Sequence, residues 1–366
     1  MIEVVFLGLL LILFLLYAGL HLFLLRGLSR SAAPDPSGPL QGISIIIAAR
    51  NEEQTIGPML ESLERLDYPA DRFEVIVIND RSNDGTSEVI TRFLPRIRTL
   101  SCIDIQENNT DMPHKKHALQ SGIAKARFGI LAFTDADCII PSQWLREIDK
   151  HFSDTTGMVA GYSPYLGGGL NTYIQYEEFK NTVIAAAAAE AGSPYMCTGR
   201  NLAYRKELFS EVGGFEAIKH SVSGDDDLFM QLVHRTTRWK IRYMTTPEGA
   251  VRTLPPTSFR QFIHQRTRHI SASRYYPRSV QFAYTSVHLM HLSLAAGLFI
   301  DPFLSIVFYC LKLNIDALLI VRGMKVFRID VPIVSFFHNE FLLILYSFVI
   351  GPLGYLKDFR WKESRS

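Results

Sequence analysis

The chain is poor in cysteine. Its 366 residues hold four, Cys102, Cys138, Cys197 and Cys310, far apart and without a CxxC pair. This spacing excludes a disulfide framework and a structural zinc site, and it is consistent with a reducing compartment. An excess of charge of one sign is also missing. Lys and Arg number 38 against 36 Asp and Glu, a formal net charge of +2, too balanced for a protein whose main partner is nucleic acid. The phosphate signatures GxGxxG and GxxxxGK[ST] are absent after the first expected strand, which argues against a dinucleotide or P-loop site. Hydrophobic residues make up 48% of the chain and charged ones 20%, so disorder is excluded.

The apolar residues gather at the two ends. Val4 to Leu25 is a run of 22 residues without Asp, Glu, Lys or Arg, roughly 33 Å as a helix and long enough for a bilayer core of ~30 Å. Glu3 precedes it and Arg26 and Arg30 follow. A signal peptide carries its positive charge in front, so the run reads as an anchor with the following chain in the cytoplasm. Residues 31–41 are rich in Pro, Gly and Ser and read as a linker. Apolar stretches return at about 284–300, 302–321 and 333–356, the middle one weakened as a span by Lys312, Asn314 and Asp316. Arg322, Lys325 and Arg328, and likewise Lys357, Arg360, Lys362 and Arg365, all favour the cytoplasm. One of the three stretches is therefore expected to be interfacial or re-entrant. The expected organisation is an anchor (1–28), a linker (29–41), a cytoplasmic domain (42–262), an interfacial segment (263–280), two or three membrane segments (281–356) and a basic cytoplasmic tail (357–366).

The middle alternates strand and helix, as in a mostly parallel α/β sheet whose ligands bind outside the carboxyl ends of the strands. Ile43–Ala49, Phe73–Ile78 and Phe128–Phe133 are short β-branched or apolar runs. Each ends in polar residues: Arg50-Asn51-Glu52-Glu53, Asn79-Asp80 through Thr86, and Thr134-Asp135-Ala136-Asp137. Two carboxylates at a buried strand end need compensation, and paired hard oxygens suit Mg2+ or Mn2+ bridging to a diphosphate. The alternative is a strand-end turn with a helix-capping Asp. Asp80 and Asp84 carry the same alternative, an Asx turn and an N-cap, and Lys115 and Lys116 taken alone read as solvated surface charges. Farther on, Gly224 precedes three successive Asp, 225 to 227, more than capping needs. Gln265-Arg-Thr-Arg-His269 opens a basic, aromatic stretch suited to an interface.

In this order the pieces resemble the family 2 glycosyltransferases, over about residues 43–270. Ser44 to Glu53 is similar to the family's opening strand and NEE turn, with Ala48 in place of a usual proline. Asn79-Asp80 with Asp84-Gly85-Thr86 resembles DDGSxDGT, and His114 to Gln120 resembles GKxxALN with Gln120 for the usual Asn. Thr134 to Asp137 is similar to the DxD, and Pro141 to Leu145 to its PxxWL continuation. Thr198 to Asn201 with Gly213-Gly214-Phe215 looks like the acceptor-side loop, and Gly224 to Leu228 like GED or EDxDL. Gln265 to His269 resembles QxxRW, with His269 where processive synthases keep Trp.

The resemblance implies a glycosyltransferase-A fold with N-terminal and C-terminal membrane helices, residues 42–262 being the catalytic domain. It implies an inverting, metal-dependent transfer from a nucleotide-sugar, a UDP-hexose by the family's habit, to a lipid or membrane-held glycan at the inner (plasma) membrane. Ala48, Arg50, Glu52, Asp80, Lys115, Asp135 and Arg268 would bind the donor, with Asp80 on uracil and Lys115 and Arg268 at the diphosphate. Asp137 would hold Mg2+ or Mn2+. Asp225, or else Asp226, would be the general base, and Gly199, Asn201, Gln265 and His269 would lie on the acceptor side. The alternatives are a processive polysaccharide synthase, an inactive nucleotide-sugar-binding membrane protein and a nucleotidyltransferase.

Overall fold

The computed structural model describes residues 2–30, 38–107, 111–167 and 171–356, without the side chains of 2, 171, 172, 268, 269 and 271 and of several residues near the end of the last helix. The basic tail, 357–366, lies outside the described residues. Two units emerge: Met1–Ser31, Gly169–Tyr195 and Pro256–Ser366 form one, Ala32–Gly168 and Met196–Pro255 the other. The segment 169–195, which the sequence places inside a continuous 42–262 domain, clusters with the terminal helices instead.

The α/β unit is built on a seven-stranded sheet. Its strands are β1 (Ile43–Ala49), β2 (Phe73–Asp80), β3 (Leu100–Ile105), β4 (Ile130–Phe133), β6 (Thr156–Gly161), β7 (Leu202–Arg205) and β8 (Lys240–Met244). They lie in the order β3-β2-β1-β4-β7-β6-β8. All pairings are parallel except those of β7 with β4 and with β6. Two further short strands, β5 (Cys138–Ile139) and β9 (Arg252–Thr253), pair antiparallel. The first two strands match the apolar runs because both their faces are buried, and Ile43, Ile45, Ile46 and Ile47 are wholly inaccessible. Each such side chain contributes about 1.5–3 kcal/mol of burial.

Helices α2 (Ile56–Leu63), α3 (Thr86–Phe93), α4 (His114–Lys125), α5 (Trp144–His151), α7 (Lys206–Glu211) and α8 (Asp227–Thr236) complete this unit. The expected spacing in α2 is real: Ile56, Met59, Leu60 and Leu63 are buried. The register Ile43 opposite Phe73 and Ile130 aligns β1, β2 and β4, so the turns after all three open on one sheet edge. Helix α4 starts four residues before the expected 118, which puts Lys115 and Lys116 in its first turn.

The helical unit contains α1 (Ile2–Ser29), α6 (Asn171–Glu190), α9 (Phe259–Ala272), α10 (Arg278–Ile300), α11 (Pro302–Phe327) and α12 (Ile333–Leu356). Among the described residues α1, α10 and α11 are long and apolar enough to cross a membrane. In α12 the stretch Ile333–Tyr346 is apolar as well. Lys312 and Asp316, which weaken the α11 segment on paper, are 1% and 0% exposed. Lys312 Nζ lies 2.7 Å from both Asp316 Oδ2 and Glu340 Oε2. Lys180 of α6 reaches Asp316 Oδ1 at 3.0 Å and also Glu340. Tyr17 of α1 donates to Asp316 Oδ1 at 2.6 Å, His21 Nε2 lies 3.3 Å from the same oxygen, and Tyr176 donates to Glu340. Two ammonium groups thus face two carboxylates across three helices, α6, α11 and α12, so charge that would be prohibitive alone is compensated pairwise. Close approach helps. A Cβ on Gly27 would collide with the carbonyl of Ala187, as expected where small residues let backbones touch.

Lys312→Met leaves two buried carboxylates sharing one lysine and should cost about 3–5 kcal/mol. The double change Lys312→Met with Glu340→Met should cost less than the sum of the two single changes. Thermal unfolding of the detergent-solubilised protein measures this, and strict additivity would contradict the network.

Candidate functional site

The site is built from the turns after β1, β2 and β4, the first two stitched together by backbone N–H groups donating to side chains. Asn51 (φ 55°) and Arg81 (φ 54°) both turn the chain through the left-handed region. The N–H of Asn51 donates to Ser82 Oγ at 3.1 Å, and that of Asn83 returns to Asn51 Oδ1 at 2.9 Å. Glu52 N donates to Thr86 Oγ1 at 2.8 Å, while Asp84 Oδ1 accepts from Thr86 N at 3.1 Å. Asp84 therefore forms the Asx turn that leads into α3, whose N-cap is Gly85 without a side-chain cap bond.

Asp80 ends β2 at 3% exposure. Both its oxygens are taken by Arg81, at 2.8 Å from Nε and 3.2 Å from Nη2. Its neighbour Asn79 donates to Asp104 Oδ1 at 2.7 Å. Ala48 stands opposite Ile78 in register and is half-buried. Arg50 is half-buried just beyond β1, with Nη1 enclosed and without a hydrogen-bond partner. The Glu52 carboxylate accepts from Thr55 Oγ1 at 2.6 Å.

Beyond β4, Thr134 is buried, Asp135 is half-exposed and Asp137 precedes β5. Lys115 Nζ, from the first turn of α4, lies 3.2 Å from Asp135 Oδ1 and 3.1 Å from Asp225 Oδ2. Two expected carboxylates some 90 residues apart thus meet on one ammonium. They line an open cleft of about 280 Å³ with Thr134, Gly199 and Tyr204. Burial, and then the Asp135 charge, push the Asp137 carboxyl above its ordinary range, and Arg200 opposes them.

The three successive aspartates divide their work. Asp226 is the N-cap of α8: its Oδ2 accepts from Gly199 N and its Oδ1 from Asp227 N, each at 2.8 Å. Asp227 Oδ1 accepts from Leu228 N at 2.7 Å. Asp225 alone of the three lines the cleft.

Asn201, expected on the acceptor side, is turned into the protein. It is 1% exposed, accepts from Trp144 Nε1 at 2.9 Å and donates to the carbonyls of Tyr162 (2.8 Å) and Gly249 (2.9 Å). Its amide is consumed in holding the loop that presents Gly199, whose own N–H goes to Asp226. Gln265 lies on α9 in the helical unit and is half-buried. Arg268 and His269 sit on the same helix, with side chains outside those described. In that motif it is Arg266 whose partner is visible, Glu177 of α6, at 2.7 Å. Three residues without an assigned role in the sequence have one here: Arg81 on Asp80, Arg200 beside Asp137, and Lys116. A signal existed for the first two, an Arg next to or within each acidic or glycine-centred motif. Lys116 offered none.

Asp135 and Asp137 fit a divalent cation. Both offer hard carboxylate oxygens, and Asp137, whose proton affinity is raised by burial first and then by the Asp135 charge, would gain from a cation beside it. No group of three or more His, Cys, Asp or Glu able to hold a metal occurs among the described residues. Most ligands would have to come from phosphate oxygens and water, the habit of Mg2+.

Residues 44–213 match the family described as Glycosyl transferase family 2, and residues 130–350 match Glycosyl transferase family group 2. The chain is 28% identical over 199 residues to glycosyltransferase AglE of Haloferax volcanii, covering 54% of this chain and 60% of that protein. It is 24% identical over 213 residues to a beta-monoglucosyldiacylglycerol synthase of Synechocystis, covering 57% and 43%. The chain therefore spans only about half the length of these relatives. Among solved structures, the mannosyltransferase PcManGT of Pyrobaculum calidifontis, in complex with GDP-Man and Mn2+, superposes with a TM-score of 0.58 at 20% identity, over 87% of this chain and 97% of that one. This is a likeness of fold.

Burial, and then the Asp225 charge, raise the proton affinity of Asp226 in the folded protein above the unfolded value of about 4. Between those two values the folded state binds more protons than the unfolded one, so stability falls as pH rises through that window. Asp226→Asn keeps an acceptor for Gly199 and removes the titration. Its stability relative to the parent should therefore climb with pH and then level off. Thermal unfolding between about pH 4 and 8 tests this, and a difference flat in pH would contradict it.

Proposed function

Since the chain belongs to the family 2 glycosyltransferases and carries their mostly parallel glycosyltransferase-A sheet, we propose that it transfers a sugar from a nucleotide-sugar, a UDP-hexose, to a lipid or membrane-held glycan with inversion at the anomeric carbon. The observation that carries this reading is Lys115 joining Asp135 to Asp225 in one cleft at the carboxyl edge of the sheet.

In the proposed reaction the Asp225 carboxylate takes the proton of the acceptor hydroxyl as its oxygen attacks the anomeric carbon. Asp226 is spent on the α8 N-cap and is supported in a positioning role. Lys115, freed from the carboxylates by the incoming diphosphate, offsets the charge that grows on the leaving group, and Arg268 joins it by resemblance. Asp137, with Asp135, would hold Mg2+ or Mn2+, which supplies further neutralisation of the diphosphate when bound. Asp80 and Arg81 form the edge against which the base would rest. Helices α1, α10 and α11 would span the plasma membrane with the α/β unit in the cytoplasm, as Arg26 and Arg30 after the first run favour. That placement, and a relative named for a glucosyldiacylglycerol, support a lipid acceptor.

Purified protein in lipid nanodiscs, supplied with radiolabelled UDP- and GDP-hexoses and Mg2+ or Mn2+, should place one labelled sugar in the lipid fraction. Asp225→Ala should lower turnover by about 10²–10⁴-fold, the usual worth of a general base, and Asp137→Ala should abolish metal-dependent turnover. Label in long, size-heterogeneous material would replace this reading with a polymerase, and no turnover or donor binding would replace it with an inactive binding protein. From an α-linked donor, proton NMR of the product should show a β-linkage, and an α-linked product would overturn inversion.

A further inference from the structure

Lys115 and Lys116 are sequence neighbours with opposite surroundings. Lys115 faces the cleft, while Lys116 is 0% exposed. Successive residues on a helix point about 100° apart, so α4 sends one lysine to the site and the other into the protein. There the Lys116 ammonium meets three backbone carbonyls, Ile218 O at 2.8 Å, Ser221 O at 2.5 Å and Ser223 O at 2.9 Å. All three of its N–H donors are thereby used.

The three carbonyls belong to one loop, which runs from the short 3₁₀ turn Glu216–Ile218 to Gly224. Gly224 has φ +83°, and a Cβ there would run into Leu228. The next residues are Asp225 and Asp226. A loop of this kind has no strand or helix ladder to fix it, and its converging carbonyls repel one another unless a cation sits among them. Burial makes the charged lysine costly, with Asp225, Asp226 and Asp227 as the compensating charges. A methionine would fill the same space without that cost, so the cationic head is what the loop requires.

We propose that Lys116 is a positioning residue for the transfer reaction: its ammonium ties the 218–223 loop to the first turn of α4 and so fixes the separation between Lys115 and Asp225. It touches no substrate. The inference rests on the reading of Asp225 as the base, but the loop it describes can be tested without that reading.

The test uses the full chain in nanodiscs as Lys116→Met and Lys116→Ala. Hydrogen exchange over 218–226 should speed up about tenfold or more while β1 and β2 stay protected. With a donor that the parent turns over, kcat should fall about 100-fold, the effect of a displacement near 1 Å, with the donor KM little changed. Methylammonium, which fits the space left in Lys116→Ala, should restore much of kcat and slow the exchange, and tetramethylammonium should do neither. Unchanged exchange with unchanged kcat overturns the proposal, and so does a loss of kcat matched by a rise in donor KM. Lys116→Met that fails to fold leaves the decision to methylammonium rescue of Lys116→Ala. Should the parent transfer nothing, the family reading fails, and the exchange result still decides whether Lys116 holds the loop.

Discussion

Negative charge is concentrated at one edge of the sheet, and it has to be neutralised where it stands because the strand ends are buried. Asp80, Asp135, Asp137, Asp225 and Asp226 all lie there or just beyond, and each has a local answer. Arg81 covers Asp80, Lys115 stands between Asp135 and Asp225, and Arg200 opposes the charge at Asp137. Asp226 is answered by two backbone N–H groups, the cheapest form of compensation at a helix start. These answers differ in how easily they give way. Backbone donors are fixed by the fold, whereas a lysine on a flexible stem is free to turn from carboxylate to phosphate. Asp226 is therefore held by backbone, whereas Asp135 and Asp225, proposed to face the donor and the acceptor, are held by a side chain.

The helical unit solves the same electrostatic problem without leaving an opening. Lys180, Lys312, Asp316 and Glu340 match charge for charge, and tyrosine hydroxyls from α1 and α6 complete the carboxylates. The four charges are committed to one another. The consequence is architectural: α1, read alone, looks like a detachable anchor, but Tyr17 and His21 tie it to α11 through Asp316.

Much of the fold was legible in the sequence where residues are buried on both faces. β1 and β2 are unbroken β-branched runs, and their polar termini announce the sheet edge. β6 and β8 were not legible, because Thr-Gly-Met-Val-Ala-Gly is short and glycine-rich and Lys-Ile-Arg-Tyr-Met is half polar. Helix α6 was legible as neither membrane nor core. Its Lys180 finds partners 136 and 160 residues away, so the reason it belongs with the terminal helices is invisible in any local window. For the same cause Lys312 and Asp316 read as flaws in a span. Of the site, Lys115, Asp135 and Asp225 were found by motif and do converge. Asn201 was placed on the acceptor-side loop, and its amide is buried in that loop's support, since a motif specifies a residue's place in the chain but not which way its amide points.

The three aspartates after Gly224 show where such a limit lies. The family motif can be matched forwards from Gly224 or backwards from Asp227-Leu228, one residue apart, which leaves the roles of 225 and 226 open. An N-cap accepts from the N–H groups of the first turn, and whichever carboxylate does so is committed to the backbone. Asp226 caps α8 and also takes the N–H of Gly199, while Asp227 is turned to Leu228. Asp225, one position before the cap, is left with a mobile ammonium rather than fixed amides. A carboxylate that must accept a proton needs an electrostatic partner that can move away. By that criterion the proposed proton transfer falls to Asp225, and Asp226 is the residue that holds the loop in place.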